Sequence, residues 1–191
     1  LIKIGGKKIR MDRLQEIKCI NDIPEAIKST PIGDLLEYHN LGREFGKYTK
    51  AELLIGMCMD NRKHLRIPDQ FAYILRTGGG NLRPSEFKVS YAIAVGGVRH
   101  IALVAHSQCG MSGLMTRKDQ FIDGLVENAG WKREYAEDHF YRFAPMFEIG
   151  NEIDFVISEA LRLKQRYPGV NVVPLYYRVE DNHLLYICSG C

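Results

Sequence analysis

The chain has 191 residues, 46% hydrophobic and 26% charged, with a formal net charge of +3. That length suits one domain with a sizeable core, and the balance is that of an ordinary globular protein. Its 26 Lys and Arg are scattered against 23 Asp and Glu, which leaves no charge block of the kind that nucleic acid or an anionic membrane requires.

No apolar run approaches the ~20 residues of a membrane helix. The opening Leu1 to Lys8 lacks the continuous apolar stretch of an export signal. Five widely spaced cysteines do not form a disulfide framework. Together these features lead us to expect a cytoplasmic protein with free or metal-bound thiols.

In chain order, Leu1 to about Thr30 is mixed in pattern. Ile32 to Lys47 has loose helical spacing, with Ile32, Leu35, Leu36, His39 and Phe45 as candidate buried positions but nothing that demands a place in the core, so it reads as part of an N-terminal arm over residues 1–50 that packs on a neighbour. Residues 51–191 form the main α/β unit of what is one domain overall. Glu52 to Met59 and Phe71 to Leu75 are short apolar runs typical of strands buried on both faces. Pro84 to Val95 predicts a helix, with Pro84 in its first turn. His100 to Ala105 predicts a third buried strand. Asn151 to Arg166 is amphipathic and stops at Tyr167-Pro168-Gly169. Val170 to Tyr177 and His183 to Ile187, joined through Glu180-Asp181-Asn182, predict a hairpin. The fold class is therefore α/β: a mainly parallel sheet flanked by helices, with an antiparallel edge hairpin at the C-terminus. Ligands of such sheets bind beyond the carboxyl ends of the strands.

Two polar motifs follow directly on predicted strands. Cys58-Met59-Asp60-Asn61-Arg62 ends the first, and His106-Ser107-Gln108-Cys109-Gly110 ends the third. Cys58, His106 and Cys109 make a set of two thiolates and one imidazole, which favours Zn²⁺ over harder cations and leaves a fourth position open. Each residue alone is better read as core; the combination at the ends of strands in one sheet carries the metal assignment. Gly78-Gly79-Gly80 lacks the Gly-Lys-Ser/Thr of a nucleotide loop, so it reads as a tight turn beside the pocket, and Gly110 reads as a second close approach, at a helix start.

The two motifs, their order, and Arg76-Thr77-Gly78-Gly79-Gly80 between them resemble the β-class carbonic anhydrases. The resemblance runs from about Ala51 to Gly113. It departs from the commoner pattern at Asn61, where Ser is usual, and at Gly80, where Asn is usual. The Cys58-Met59-Asp60 opening and the Gly-rich segment resemble a less typical branch that includes carbonyl sulfide hydrolases and has carbon disulfide-acting relatives. The resemblance implies zinc on Cys58, His106 and Cys109, reversible hydration of carbon dioxide to bicarbonate, and a homodimer or dimer-based oligomer. It also implies catalytic roles for Asp60 and Arg62. Asp60 would orient a zinc-generated hydroxide, with Arg62 holding its carboxylate off the metal. In some family members the aspartate itself becomes the fourth ligand and closes the site. Three functions follow: carbon dioxide hydration, the same chemistry on carbonyl sulfide or carbon disulfide, or a closed zinc site with a structural or regulatory role. Cys188-Ser189-Gly190-Cys191 reads as a frayed tail with two thiols, and the aromatic stretch Trp131 to Phe147 as a pocket roof, core or subunit contact.

Overall fold

The computed structural model describes residues 3–4, 7–8 and 13–188. The principal sheet has six strands: β1 (Leu14–Gln15), β2 (Leu53–Cys58), β3 (Ala72–Thr77), β4 (His100–His106), β5 (Asn171–Arg178) and β6 (His183–Ile187). Their order is β1-β6-β5-β4-β2-β3. The β3, β2, β4 and β5 strands run parallel, while β6 and β1 join antiparallel at one edge. Six helices accompany them: α1 (Glu25–Lys28), α2 (Pro31–Asn40), α3 (Glu86–Ala94), α4 (Lys118–Ala129), α5 (Arg133–Phe147) and α6 (Glu152–Arg166). Among the described residues, no helix is long and apolar enough to cross a membrane.

Strand alternation divides the core in two. Leu53, Ile55 and Met57 of β2, with Ala102 and Val104 of β4 and Val173 and Leu175 of β5, face α1 and α2. Leu54, Ile101, Leu103 and Val172 point the other way, toward α3 and α6. A period of two with apolar residues on both faces is what a central parallel strand needs. The α6 boundaries match the sequence pattern, and its entry is fixed by Asn151 Oδ1, which accepts from the backbone N–H groups of Ile153 and Asp154, each at 3.0 Å.

Three expectations are corrected. Strand β3 was read as buried on both faces, yet it is the sheet edge, with Tyr73 and Ile74 exposed. An apolar run cannot distinguish a central strand from an edge strand that another surface covers. The α2 segment does demand a place in the core, since Ile32, Leu35 and Leu36 are wholly buried. Each such side chain contributes ~1.5–3 kcal/mol of burial. Asn40 ties the helix end to β6: its Nδ2 donates to Leu184 O at 2.7 Å, and its Oδ1 accepts from Leu184 N at 3.0 Å. Finally, α1, α4, α5 and the short β1 were not anticipated.

His39, also on α2, is held as a neutral ring. Its Nδ1 accepts from the Arg66 backbone N–H at 3.0 Å, so the proton sits on Nε2, which donates to Asn182 O at 2.8 Å. Burial lowers its pKa, and the nearby His183 and Arg66 charges add to this. A histidine with a depressed folded-state pKa binds its proton more readily when unfolded, so stability falls as pH drops below the unfolded value of ~6.5. Thermal melts between pH 5 and 7.5 should show this slope. His39→Leu should flatten it and, through two lost hydrogen bonds, cost about 1–3 kcal/mol near neutrality. An unchanged slope in the variant would remove His39 as its source.

Candidate metal centre

Strands β2 and β4 are adjacent and parallel, with Leu54 opposite Ile101 and Met57 opposite Val104. Their carboxyl ends therefore coincide, which brings Cys58 beside His106. The turn after β4 then carries Cys109 back to the same place. Gln108 adopts a left-handed φ of 58° to allow this, an unusual conformation for a residue other than glycine. The ligand atoms of Cys58, His106 and Cys109 all lie within 4.8 Å of one another, and all three residues are buried.

Three observations show that this set fits a metal ion. The two sulfurs are 4.0 Å apart, far beyond the ~2.05 Å of a disulfide. Two sulfurs each ~2.3 Å from a tetrahedral zinc stand about 3.8 Å apart. His106 Nδ1 lies 2.9 Å from Ser107 O, and a carbonyl only accepts, so Nδ1 carries the proton and Nε2 presents its lone pair. That Nε2 is buried without a hydrogen-bond partner, a costly state for a polar atom unless an ion or solvent meets it. The Cys109 thiol donates to Cys58, which holds Cys58 well below the ordinary thiol range, while the same bond and burial push Cys109 up. A divalent cation displaces that proton.

Asp60 and Arg62 lie at the mouth of the site. Arg62 Nε donates to both carboxylate oxygens, at 3.0 and 3.2 Å, and Nη2 donates to Oδ2 at 2.6 Å. The Arg62 backbone N–H adds a bond to Oδ1 at 2.9 Å. These bonds, chiefly from the Arg62 side chain, keep Asp60 ionised well below the usual carboxylate range. Arg62 also reaches Gln108, donating through Nη2 to its carbonyl at 3.1 Å and through Nη1 to Oε1 at 3.3 Å. The two sequence motifs are thereby clamped to each other.

Several neighbours escaped the sequence reading. Glu180 accepts from Ser107 Oγ and Gln108 Nε2, both at 2.8 Å, and so braces the turn that presents His106 and Cys109. It follows the carboxyl end of β5, a position the strand-end rule could have flagged. Lys63 is fully buried and donates to Cys58 O at 3.0 Å; burial pushes its pKa down to about 8. Nothing in the polar run around it signals burial. Ile149 and Met111 pack against the two cysteines.

The glycine turn Gly78–Gly80 follows β3, with positive φ at Gly79 and Gly80. A Cβ at Gly78 would come within 3.0 Å of the Phe147 ring and 3.2 Å of Met111 Sδ. A Cβ at Gly110 would meet nothing within 4 Å, and the next helical turn starts only at Leu114, so the close approach and helix start expected there are not made within this chain. Beside the turn, α4 and α5 border a half-open cavity of about 250 Å³ lined by residues that include Met59, Gly78, Met111, His139, Phe143 and Phe147. From the aromatic stretch Phe140, Phe143 and Phe147 line this cavity, Phe140 also packs in a small buried cluster with Leu114 and Ile122, and Tyr135 and Tyr141 are exposed. His100 begins β4, at the far end of that strand from His106, and His183 bonds to Ile17 O, so neither lies at the site. Of the C-terminal pair, Cys188 N donates to Arg13 O at 2.9 Å, while Ser189, Gly190 and Cys191 lie outside the described residues.

No family sequence model matches the chain, and no curated protein matches it in sequence. Solved structures do match. A β-carbonic anhydrase, isoform I of the protozoan Trichomonas vaginalis, superposes with a TM-score of 0.61 at 16% identity, over 78% of this chain and 88% of that one. The chain has the β-carbonic anhydrase fold. A carbonic anhydrase from Glaciozyma antarctica aligns over 87% of this chain and all of its own, with a TM-score of 0.57 and 20% identity. A carbon disulfide hydrolase in its apo form shares the β-carbonic anhydrase fold too, with a TM-score of 0.53 and 17% identity over 74% of this chain and 80% of that one.

Proposed function

We propose that this chain is a zinc enzyme that adds water reversibly to carbon dioxide, giving bicarbonate and a proton. The observation that carries the reading is the convergence of Cys58, His106 and Cys109 beside an Arg-clamped Asp60, at strand ends in a β-carbonic anhydrase fold. Bound zinc would lower the pKa of water toward ~7 and so supply a nucleophile near neutral pH. The chain's own groups would do the rest. Asp60, kept ionised, accepts a hydrogen bond from the attacking water and aims its lone pair at the substrate carbon. Arg62 keeps that carboxylate directed away from the sulfurs and fixes its angle. Glu180 and Gln108 hold the His106–Cys109 turn so that this geometry needs no rearrangement.

A second reading, hydrolysis of carbonyl sulfide or carbon disulfide, is favoured by the cavity beside the site. Its lining is almost wholly apolar and includes two methionines, and its ~250 Å³ exceeds what carbon dioxide fills. Such a chamber suits a soft, apolar molecule. We read the protein as a homodimer as well. Phe87, Tyr91 and Val95 of α3 are exposed at 82%, 53% and 68%, next to the open edge of β3, an apolar face fitted to a second copy. A site of two thiolates also needs a reducing compartment, which supports a cytoplasmic location.

The deciding experiment assays metal-quantified protein on carbon dioxide and carbonyl sulfide in parallel, from pH 6.5 to 9. Carbon dioxide hydration that scales with zinc content is the expected result. Faster sulfide release transfers the chain to the second reading. Silence on both substrates at full zinc content points to a structural or regulatory metal. Light scattering on the same sample should give about twice the 21.8 kDa chain mass; a monomer would remove the dimer reading.

A further inference from the structure

Met111 packs against the cluster of Cys58, Cys109 and Ile149, and also against that of Leu114, Ile122 and Phe140. Its sulfur and the Phe147 ring crowd Gly78, at 3.2 and 3.0 Å from the place a Cβ would take. Met111 is therefore the wall shared by the metal centre and the cavity that α4 and α5 border. That cavity is a recess rather than a flat face, since Phe140 and Ala144 in its lining are buried.

Its chemistry is one-sided. No Asp, Glu, Lys or Arg lines it, whereas Phe121, Phe140, Phe143 and Phe147 do. The rings meet at a slant: Phe121 and Phe140 have centroids 5.2 Å apart at 56°, and His139 and Phe143 are 4.8 Å apart at 50°. Faces tilted in this way can receive a further ring offset or edge-on. His139 is the one lining side chain with nitrogen or oxygen atoms. It stacks on Phe121 at 6.2 Å, and no hydrogen bond holds it among the described residues. An apolar cavity of ~150 Å³ accepts a benzene ring, so about 250 Å³ leaves room for two fused rings.

We propose that this cavity binds an uncharged aromatic molecule of one or two rings, with His139 meeting the single polar atom such a ligand carries. Met111 separates the bound molecule from the ligand cluster, so the site is distinct from the metal position and forms with or without zinc. It goes beyond both substrate readings, because neither carbon dioxide nor its sulfur analogues call for stacked rings.

The probe is indole, titrated into the full chain with isotope-labelled methionine methyl groups. Indole should shift the methyls of Met59 and Met111, which line the cavity, to saturation, and leave Met57 in place, since it faces α1 and α2 across the sheet. Tryptamine carries the same rings with an ammonium and should bind more weakly by about tenfold or more, because no anionic side chain meets its charge. Ala144→Leu fills the recess at its buried floor and should remove the indole shifts. His139→Phe keeps a ring without the nitrogens, so it should weaken indole several-fold and leave toluene unchanged. Met59 and Met111 methyls that ignore indole in the wild type overturn the proposal whether or not the variants fold. Equal indole binding by Ala144→Leu, tryptamine binding as tight as indole, or an unchanged indole affinity in His139→Phe overturns it too. Methyls that move with chain concentration and not with indole would give the cavity to a second copy, which also overturns it. Chain stripped of metal should show the same indole shifts, so failure of the zinc reading is seen separately.

Discussion

Cys109→Ala is expected to abolish metal uptake and turnover together while leaving the chain folded. Zinc binding at protein sites amounts to ~10–16 kcal/mol in apparent free energy, so one of three protein ligands stands for roughly 3–5 kcal/mol. Affinity should fall by about 10²–10⁴-fold, enough to strip the ion in a chelator competition. The geometry makes this sharp. Cys58 and Cys109 are 4.0 Å apart across the site, and the described residues bring no other His, Cys, Asp or Glu into their cluster. The fold should tolerate the change, because the lost sulfur leaves a small void at a site whose walls, Ile149 and Met111, are separate from the two main cores. Cys19→Ala is the control: that thiol is exposed and outside the cluster, and its variant should bind metal as the wild type does. Full zinc occupancy in Cys109→Ala, measured by elemental analysis after dialysis against chelator, would end the metal assignment.

The parts legible in the sequence were those with a strict period or a chemical signature. The β2, β4 and β5 strands read clearly because both of their faces are apolar, and α6 read clearly because Asn151 opens it and Pro168 closes it. The convergence of Cys58, His106 and Cys109 was legible because the carboxyl ends of adjacent parallel strands meet, so two polar motifs placed there become neighbours. What escaped depends on contacts between distant segments. α4 carries Phe121, Ile122, Leu125 and Val126 at helical spacing, yet it buries mainly Ile122, so its pattern is weak. The burial of α2 depends on Asn40 meeting β6, 144 residues later. Lys63 looks like any surface lysine until its Nζ meets Cys58 O and Arg76 bonds its backbone carbonyl. Glu180 acquires its role only when the β5–β6 turn folds back over Ser107 and Gln108.

The second large effect is expected at Asp60. Asp60→Asn should keep one zinc per chain and lose about 10²–10⁴-fold in turnover, the range for a positioned acid–base group. Asn keeps the shape but loses the charge that Arg62 grips through Nε and Nη2, and it cannot accept at both oxygens. Metal content should hold because the Asp60 carboxylate is not one of the clustered ligand atoms, which come from Cys58, His106 and Cys109. Arg62→Ala acts on the same pair from the other side. It frees the Asp60 carboxylate from its clamp and breaks the bridge to Gln108, so both the nucleophile's partner and the His106–Cys109 turn lose a support. A freed carboxylate near a divalent ion can itself become a ligand, closing the open position. Arg62→Ala should therefore bind zinc at least as tightly as the wild type while turning over poorly. Adding the second change to give Asp60→Asn with Arg62→Ala should return the affinity to the wild-type level. If Asp60→Asn turns over at the wild-type rate, the carboxylate has no part in aiming the nucleophile. If Arg62→Ala weakens zinc instead, the clamp serves the fold of the turn rather than the position of Asp60.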